Sequence, residues 1–164
     1  MRLGAPGDGT VRLPPPTESQ AAIATDIDEV QSVNDAFYAA FEARDLDGMS
    51  DVWEHSERVF CTHPGWATLR GWALVSGSFY ALFRNAQHLQ FILTRQHTEV
   101  AGNAAWVSVD ENILDADAAA TVAALNVFSR QPDGRWLMVG HHASPVTASA
   151  ELGDTGDDDG EDED

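Results

Sequence analysis

Three histidines and one glutamate are the side chains of this sequence most suited to moving protons. His63 lies in the stretch THPGW, His141 and His142 lie in GHHASPV, and Glu111 follows Asp110. A neutral imidazole can accept a proton near pH 7, and a neighbouring carboxylate can orient it. The catalytic candidates are therefore His142, His63 and Glu111, and the chemistry they indicate is acid–base catalysis without a cofactor.

Strand alternation limits how many of these groups can face one cavity. Adjacent residues of a strand point to opposite faces, so only one of His141 and His142 can face inward. The same rule separates Asp110 from Glu111. We expect His142 to face inward, with Ser144 on the same side, and His141 to face a subunit interface. The alternative, in which the histidines only satisfy backbone or hydroxyl partners, remains open.

Several aromatic and polar side chains could line a pocket for a small molecule, since ligand pockets are mostly lined by apolar and aromatic groups. The ligand-binding candidates are Trp66, Trp72, Asn126, Phe128 and Ser144. Trp53 and Trp106 are interpreted as ordinary core residues. The Pro-Gly step before Trp66 stiffens its turn, which places Trp66 and His63 at a fixed corner.

Metal and phosphate sites are both disfavoured. His63, His142 and Glu111 could supply three metal ligands, but the sequence contains no HxH or HxxxH motif. The stretch GAPGDG near the N-terminus precedes no predicted helix, so it is not a phosphate-binding loop. We predict no metal and no cofactor.

Composition excludes some classes of partner. The 164 residues carry a net charge of −18, and all nine basic residues are arginine. Such a chain repels phosphate backbones, so we predict no nucleic-acid binding. No apolar run reaches about 18 residues, and the N-terminus lacks the pattern of a secretory signal. The expectation is a cytoplasmic protein with no membrane partner.

The two ends differ in composition from the centre. Residues 1–20 are rich in Gly and Pro and are predicted to form a flexible arm. Residues 149–164 form a predicted disordered acidic tail, because like charges repel and nothing apolar compensates. The folded domain is predicted to occupy residues 21–148.

Within the domain, helical patterns come first and strand patterns follow. Apolar residues at three- and four-residue steps predict helices at about 20–44 and 71–86, with a short helix between them. Four β-rich runs fill 89–146, and Pro132-Asp133-Gly134 predicts a hairpin turn. This order indicates an α+β fold with an antiparallel sheet.

The motifs FYAAFEARDLDGMSDVW, THPGWATLRGW, AAWVSVDE and LNVFSRQPDGRWLMVGHHASP together resemble the nuclear transport factor 2-like (NTF2-like) superfamily, in its SnoaL-like branch. The resemblance implies a cone-shaped barrel in which a curved antiparallel sheet packs on three N-terminal helices, with a pocket at its wide mouth. Members include isomerases, cyclases, dehydratases and binders without activity. It therefore implies a protein with a small-molecule pocket, and the activity expected of it is cofactor-free acid–base catalysis of the isomerase, cyclase or hydratase kind. The alternative is a non-catalytic dimeric binding or assembly module. The Asp base of related cyclases has no assigned match here.

The pattern of the last strand also suggests a partner surface. In WLMVG, Trp136 and Met138 fall on one face while Leu137 and Val139 fall on the other, so both faces are apolar. A one-layer antiparallel sheet normally has a polar outer face. We therefore expect a homodimer through the outer face of the sheet, as the resemblance also implies.

Overall fold

The computed structural model describes residues 16–85, 88–114 and 119–147. Within these ranges the helices are α1 (Glu18–Ala43), α2 (Leu46–Val52) and α3 (Trp72–Phe83), and the strands are β1 (Phe60–Thr62), β2 (Leu69–Arg70), β3 (Gln90–Ala101), β4 (Ala104–Leu114), β5 (Ala119–Arg130) and β6 (Trp136–Pro145). The predicted acidic tail and most of the predicted N-terminal arm lie outside the described residues. The last residues of that arm, from Glu18 onward, already belong to α1.

The strands form one curved, open sheet in the order β2-β1-β6-β5-β4-β3. The four long strands pair antiparallel with their neighbours, as predicted. The sheet is mixed at one place, because β1 pairs parallel to β6. The hairpin argument covered only strands joined by tight turns, whereas β1 and β6 are joined through most of the domain. The α+β class itself is confirmed.

Local chemistry accounts for the ends of the elements. Thr17 caps α1 through a reciprocal capping box with Gln20, which satisfies backbone N–H groups at the start of the helix. Asp45 caps α2 by accepting hydrogen bonds from two backbone N–H groups. Gly134 has a φ of 90° in the predicted turn between β5 and β6, and its N–H donates to the Gln131 carbonyl at 2.9 Å. The hairpin prediction is confirmed.

The core lies between the helices and the face of the sheet that α1 covers, which we call the inner face. Phe37 on α1 and Phe79 on α3 are at most 1% exposed, and their ring centroids lie 6.1 Å apart in an edge-to-face arrangement. Trp53 after α2 and Phe128 on β5 are equally buried. Helices α1 and α3 are therefore held together over the sheet by aromatic packing.

The opposite, outer face of the sheet carries large apolar groups in contact with solvent. Ile92 is 53% exposed, Leu125 is 42% exposed and Trp106 is 39% exposed. The interpretation of Trp106 as core was therefore wrong, because β4 turns Val107 inward and Trp106 outward. None of the described helices is both long enough and apolar enough to cross a bilayer.

Candidate functional site

A cavity of about 170 Å³ lies between the helices and the inner face of the sheet. An apolar cavity of roughly 150 Å³ is large enough to hold a benzene ring. Its apolar lining consists of Phe37, Phe41, Leu82, Leu89, Phe91 and Ile113; its titratable lining consists of Tyr38, His63, Glu111 and His141; Pro64 and Trp66 complete it. Among the residues that the structure describes, four titratable side chains therefore line the cavity, in mainly apolar surroundings.

Glu111 reaches this cavity because β4 alternates its side chains between faces. It is only 3% exposed, whereas its neighbour Asp110 faces outward and forms an ion pair with Arg95. The Oε1 atom of Glu111 accepts a hydrogen bond from the Tyr38 hydroxyl at 2.7 Å. Within the described chain, Oε2 has no hydrogen bond and is not enclosed by protein atoms, so it borders the cavity. One carboxylate oxygen is held, and the other is free to meet a ligand.

Burial sets the protonation of this carboxyl group. It raises the pKa of Glu111 from its ordinary 4.5 to about 7, although the hydrogen bond from Tyr38 acts in the opposite direction. Burial and the charge of Glu111 raise the pKa of Tyr38 far above its usual range, so the phenol keeps its proton. Glu111 can therefore gain or lose a proton near neutral pH while Tyr38 remains a hydrogen-bond donor.

A chain of hydrogen bonds joins Glu111 to His141. Asn126 on β5 is fully buried, and its Nδ2 donates to the Tyr38 hydroxyl at 3.1 Å and to Asn34 Oδ1 at 2.8 Å. The Oδ1 atom of Asn126 lies 2.6 Å from Nδ1 of His141. Because an amide oxygen can only accept, His141 carries its proton on Nδ1. The chain fixes both the phenol and the imidazole relative to the carboxylate.

The two cavity histidines remain neutral at physiological pH. Burial lowers the pKa of His141 to about 3, with smaller contributions from His63 and His142. Burial also lowers the pKa of His63 to about 4. Neither imidazole is charged near neutral pH, so Glu111 is the cavity group that titrates there.

His63 is held by α3 and by its own turn. Ser78 donates to the Val75 carbonyl at 2.7 Å, so its oxygen is left to accept the N–H of His63 Nε2 at 2.9 Å. The backbone N–H of Trp66 donates to the His63 carbonyl at 2.9 Å, and Gly65 adopts a φ of 81° in between. The turn thus places the imidazole inside the cavity and the indole of Trp66 at its rim, as the THPGW stretch predicted.

Comparison with known proteins identifies the family. The family model for the SnoaL-like domain matches residues 30–149. The chain belongs to the SnoaL-like domain family. A candidate dehydratase of the NTF2-like family from Streptomyces avermitilis is 39% identical, with 76% of this chain and 99% of that chain covered and a TM-score of 0.70. The chain matches none of the curated proteins.

Two further solved structures show how varied the named roles of similar proteins are. A candidate calcium/calmodulin-dependent protein kinase type II association domain from Thiobacillus denitrificans is 37% identical, with 71% of this chain and 94% of that chain covered and a TM-score of 0.62. A candidate ketosteroid isomerase from Parabacteroides distasonis is 18% identical, with 72% of this chain and 86% of that chain covered and a TM-score of 0.61. The second similarity concerns the fold alone.

The predicted orientation of the histidine pair in this SnoaL-like domain was wrong. His141 is 4% exposed and lines the cavity, whereas His142 and Ser144 are exposed on the outer face. The reason is a β-bulge in β6, since Val127 pairs with Gly140 but Phe128 pairs with Met138. The extra residue reverses the alternation of side chains beyond it. The three-ligand metal set that included His142 does not assemble in one place.

The other ligand-binding candidates divide between the cavity and the core. Trp66 borders the cavity. Asn126 does not line it and acts through its hydrogen bonds to Tyr38 and His141. Phe128 is fully buried core, and Trp72 instead stacks on His55 with ring centroids 4.4 Å apart.

Tyr38 and Asn34 were missed by sequence reasoning. Both lie on α1, four residues apart, and both are buried at no more than 4% exposure. Residues four apart share one face of a helix. A polar pair at that spacing within the apolar stripe around Phe37 was the available signal, because buried polar groups need specific partners.

Proposed function

We propose that this SnoaL-like domain is a cofactor-independent enzyme that moves a proton on a small carbonyl compound, with Glu111 as the general base. The observation that carries the proposal is a buried carboxyl group with a pKa raised to about 7 and one oxygen bordering an apolar cavity. Such a group is ionised to a useful extent at neutral pH and is a stronger base than an exposed glutamate. The reaction class is isomerase-like.

The proposed step is proton transfer from carbon. Oε2 of Glu111 takes the proton from a carbon next to the substrate carbonyl, and the electron pair of that C–H bond moves toward the carbonyl oxygen. Glu111 then returns the proton to a carbon of the same molecule. Tyr38 donates to Oε1 throughout at 2.7 Å, which holds the carboxyl group in place. The sequence-based assignment of the base to histidine is replaced here, because the cavity imidazoles have lowered pKa values.

Hydrogen exchange tests the proposed base without requiring the natural substrate. Cyclohexanone, a single ring with one carbonyl, is incubated with the protein in D₂O, and loss of its α-hydrogens is followed by NMR. We expect exchange that increases with pH with a midpoint near 7, because the ionised form of Glu111 is the active base. Glu111→Gln should reduce the rate by about 100-fold or more, the usual contribution of a general base.

The matched control is Asp110→Asn, which removes a carboxylate from the same strand but from the outer face. We expect exchange at the normal rate in this variant. Equal rates in wild type and Glu111→Gln, or equal losses in both variants, would contradict Glu111 as the base.

A second candidate function, a dimeric binding or assembly module, is favoured by the outer face of the sheet. Trp106 and Leu125 expose apolar surface there, on neighbouring strands. The similar candidate association domain from Thiobacillus denitrificans is consistent with such a role. A homodimer through this face would bury these side chains, and it is compatible with catalysis in the cavity on the other face.

Light scattering combined with size-exclusion chromatography tests the dimer. Leu125→Asp should convert a dimer to a monomer, since it would bury an unpaired charge in the interface. Leu74→Asp is the control, because Leu74 is 59% exposed on α3, away from the sheet. A wild-type monomer at micromolar concentration would refute the dimer.

A further inference from the structure

Besides Oε2 of Glu111, the cavity presents an imidazole nitrogen as an unfilled hydrogen-bond acceptor of fixed position. His141 commits its Nδ1 proton to Asn126, so its Nε2 carries a lone pair. Within the described chain, Nε2 has no hydrogen-bond partner and is not sealed in by protein atoms, and His141 lines the cavity. A purely apolar ligand would leave this lone pair without a partner, whereas a ligand hydroxyl would satisfy it.

The described part of the cavity wall has no group that would neutralise an anionic ligand. Among residues 16–85, 88–114 and 119–147, no arginine lines the cavity, and the sequence contains no lysine. Arg44 belongs to an adjacent pocket and donates to the Asn85 carbonyl at 2.9 Å, while also contacting the ring of His88. With a net charge of −18 on the chain, an anion would be repelled before it reached an apolar site.

We propose that the substrate is an uncharged, hydroxyl-bearing molecule with about one ring inside the cavity, and that Nε2 of His141 accepts the hydrogen bond from its hydroxyl group. This inference rests on the proposed function, since it names the substrate class for the same cavity. His141 is then a specificity-determining residue. The hydrogen-bond chain through Asn126 and Tyr38 sets its distance from Glu111, so the hydroxyl and the reacting carbon occupy defined positions.

Calorimetric titration with three probes of similar size tests the proposal: phenol, which donates a hydrogen bond; anisole, which does not; and benzoate, which is charged. At about pH 5.5, Glu111 is mostly protonated and both cavity histidines are neutral. A preference for phenol under this condition reports on neutral acceptors of the cavity, and the variants described next distinguish the imidazole from the protonated carboxyl group. We expect phenol to bind about tenfold tighter than anisole, equivalent to about 1.4 kcal/mol for one hydrogen bond. Benzoate should bind at least about tenfold more weakly than phenol, since its charge would be desolvated without a partner.

Two variants of adjacent residues assign the acceptor. His141→Leu should bind phenol and anisole equally, while His142→Leu, on the outer face, should retain the preference for phenol. If His141→Leu does not fold, ¹⁵N NMR of the wild-type protein gives the same information. Phenol should shift the unprotonated ring nitrogen of His141, and anisole should leave it unchanged.

The outcomes separate this inference from the proposed function. Equal binding of phenol and anisole, tighter binding of benzoate, or a phenol preference that survives in His141→Leu would overturn the inference and leave catalysis by Glu111 standing. Failure of all three probes to bind, together with absence of exchange in cyclohexanone, would overturn both.

Discussion

Replacing Glu111 by Gln should stabilise the folded protein above neutral pH. Gln keeps the shape of the side chain and an oxygen that can accept from Tyr38, but it cannot ionise. The carboxyl group has a pKa of about 7 in the fold and an ordinary value of 4.5 when exposed. The folded state of the wild-type protein therefore binds the Glu111 proton more tightly than the unfolded state does. The stabilisation from this proton is complete below pH 4.5 and is lost as pH rises through about 7.

The pKa difference gives the size of the effect. At about 1.36 kcal/mol per pH unit, the gap between 4.5 and about 7 corresponds to about 3.4 kcal/mol at high pH. Between pH 5 and 8, the expected change in the stability difference between the variant and wild type is about 2.5 kcal/mol. This is a large part of the stability of an ordinary domain, so it is readily measurable.

Urea unfolding of both proteins at pH 5, 6, 7 and 8 supplies the measurement. The cavity histidines give the free energy of unfolding a pH slope of the opposite sign. Their lowered pKa values favour the neutral form in the fold, so they reduce stability as pH falls below 6.5. That slope is common to both proteins and cancels in their difference. Asp110→Asn controls for loss of one charge from the same strand.

A stability difference that stays constant from pH 5 to 8 would refute the reasoning. It would mean that Glu111 ionises in the fold as easily as in water, and that the cavity is hydrated enough to solvate a carboxylate. A difference that shrinks with rising pH would mean that Glu111 has a charged partner.

Three further variants test other parts of the structure. Tyr38→Phe removes the hydrogen bond that lowers the pKa of Glu111, so the midpoint of the pH–exchange profile should move above about 7; an unchanged midpoint would contradict the contact. Phe79→Ala empties a fully buried position and should reduce the free energy of unfolding by about 3–5 kcal/mol in urea. Gly140→Ala would place a Cβ 2.3 Å from the Phe60 ring, and we expect a loss of about 1–3 kcal/mol as the ring is displaced, whereas wild-type stability would show that β6 tolerates a side chain there.

Local sequence patterns determined the elements of this SnoaL-like domain and part of its site. The long helix, the hairpin turn before Arg135 and the inward direction of Glu111 follow from interactions within a few residues, so periodicity and turn chemistry predict them. The position of His63 inside the cavity and of Trp66 at its rim follows similarly from the stiff turn between them. The family motifs predicted the α+β fold and the position of a pocket.

Tertiary structure decided which polar groups meet. Tyr38 and Glu111 are 73 residues apart, and Tyr38 and Asn126 are 88 apart, so no local pattern specifies their hydrogen bonds. His141, and not His142, faces the cavity because of the bulge beside Gly140. There the Phe60 ring of the parallel strand occupies the space that a side chain would need. A glycine within a strand pattern signals such a bulge but does not fix its place, because the register is set by pairing with both neighbouring strands. The raised pKa of Glu111 has the same origin, since desolvation depends on every element that encloses the cavity.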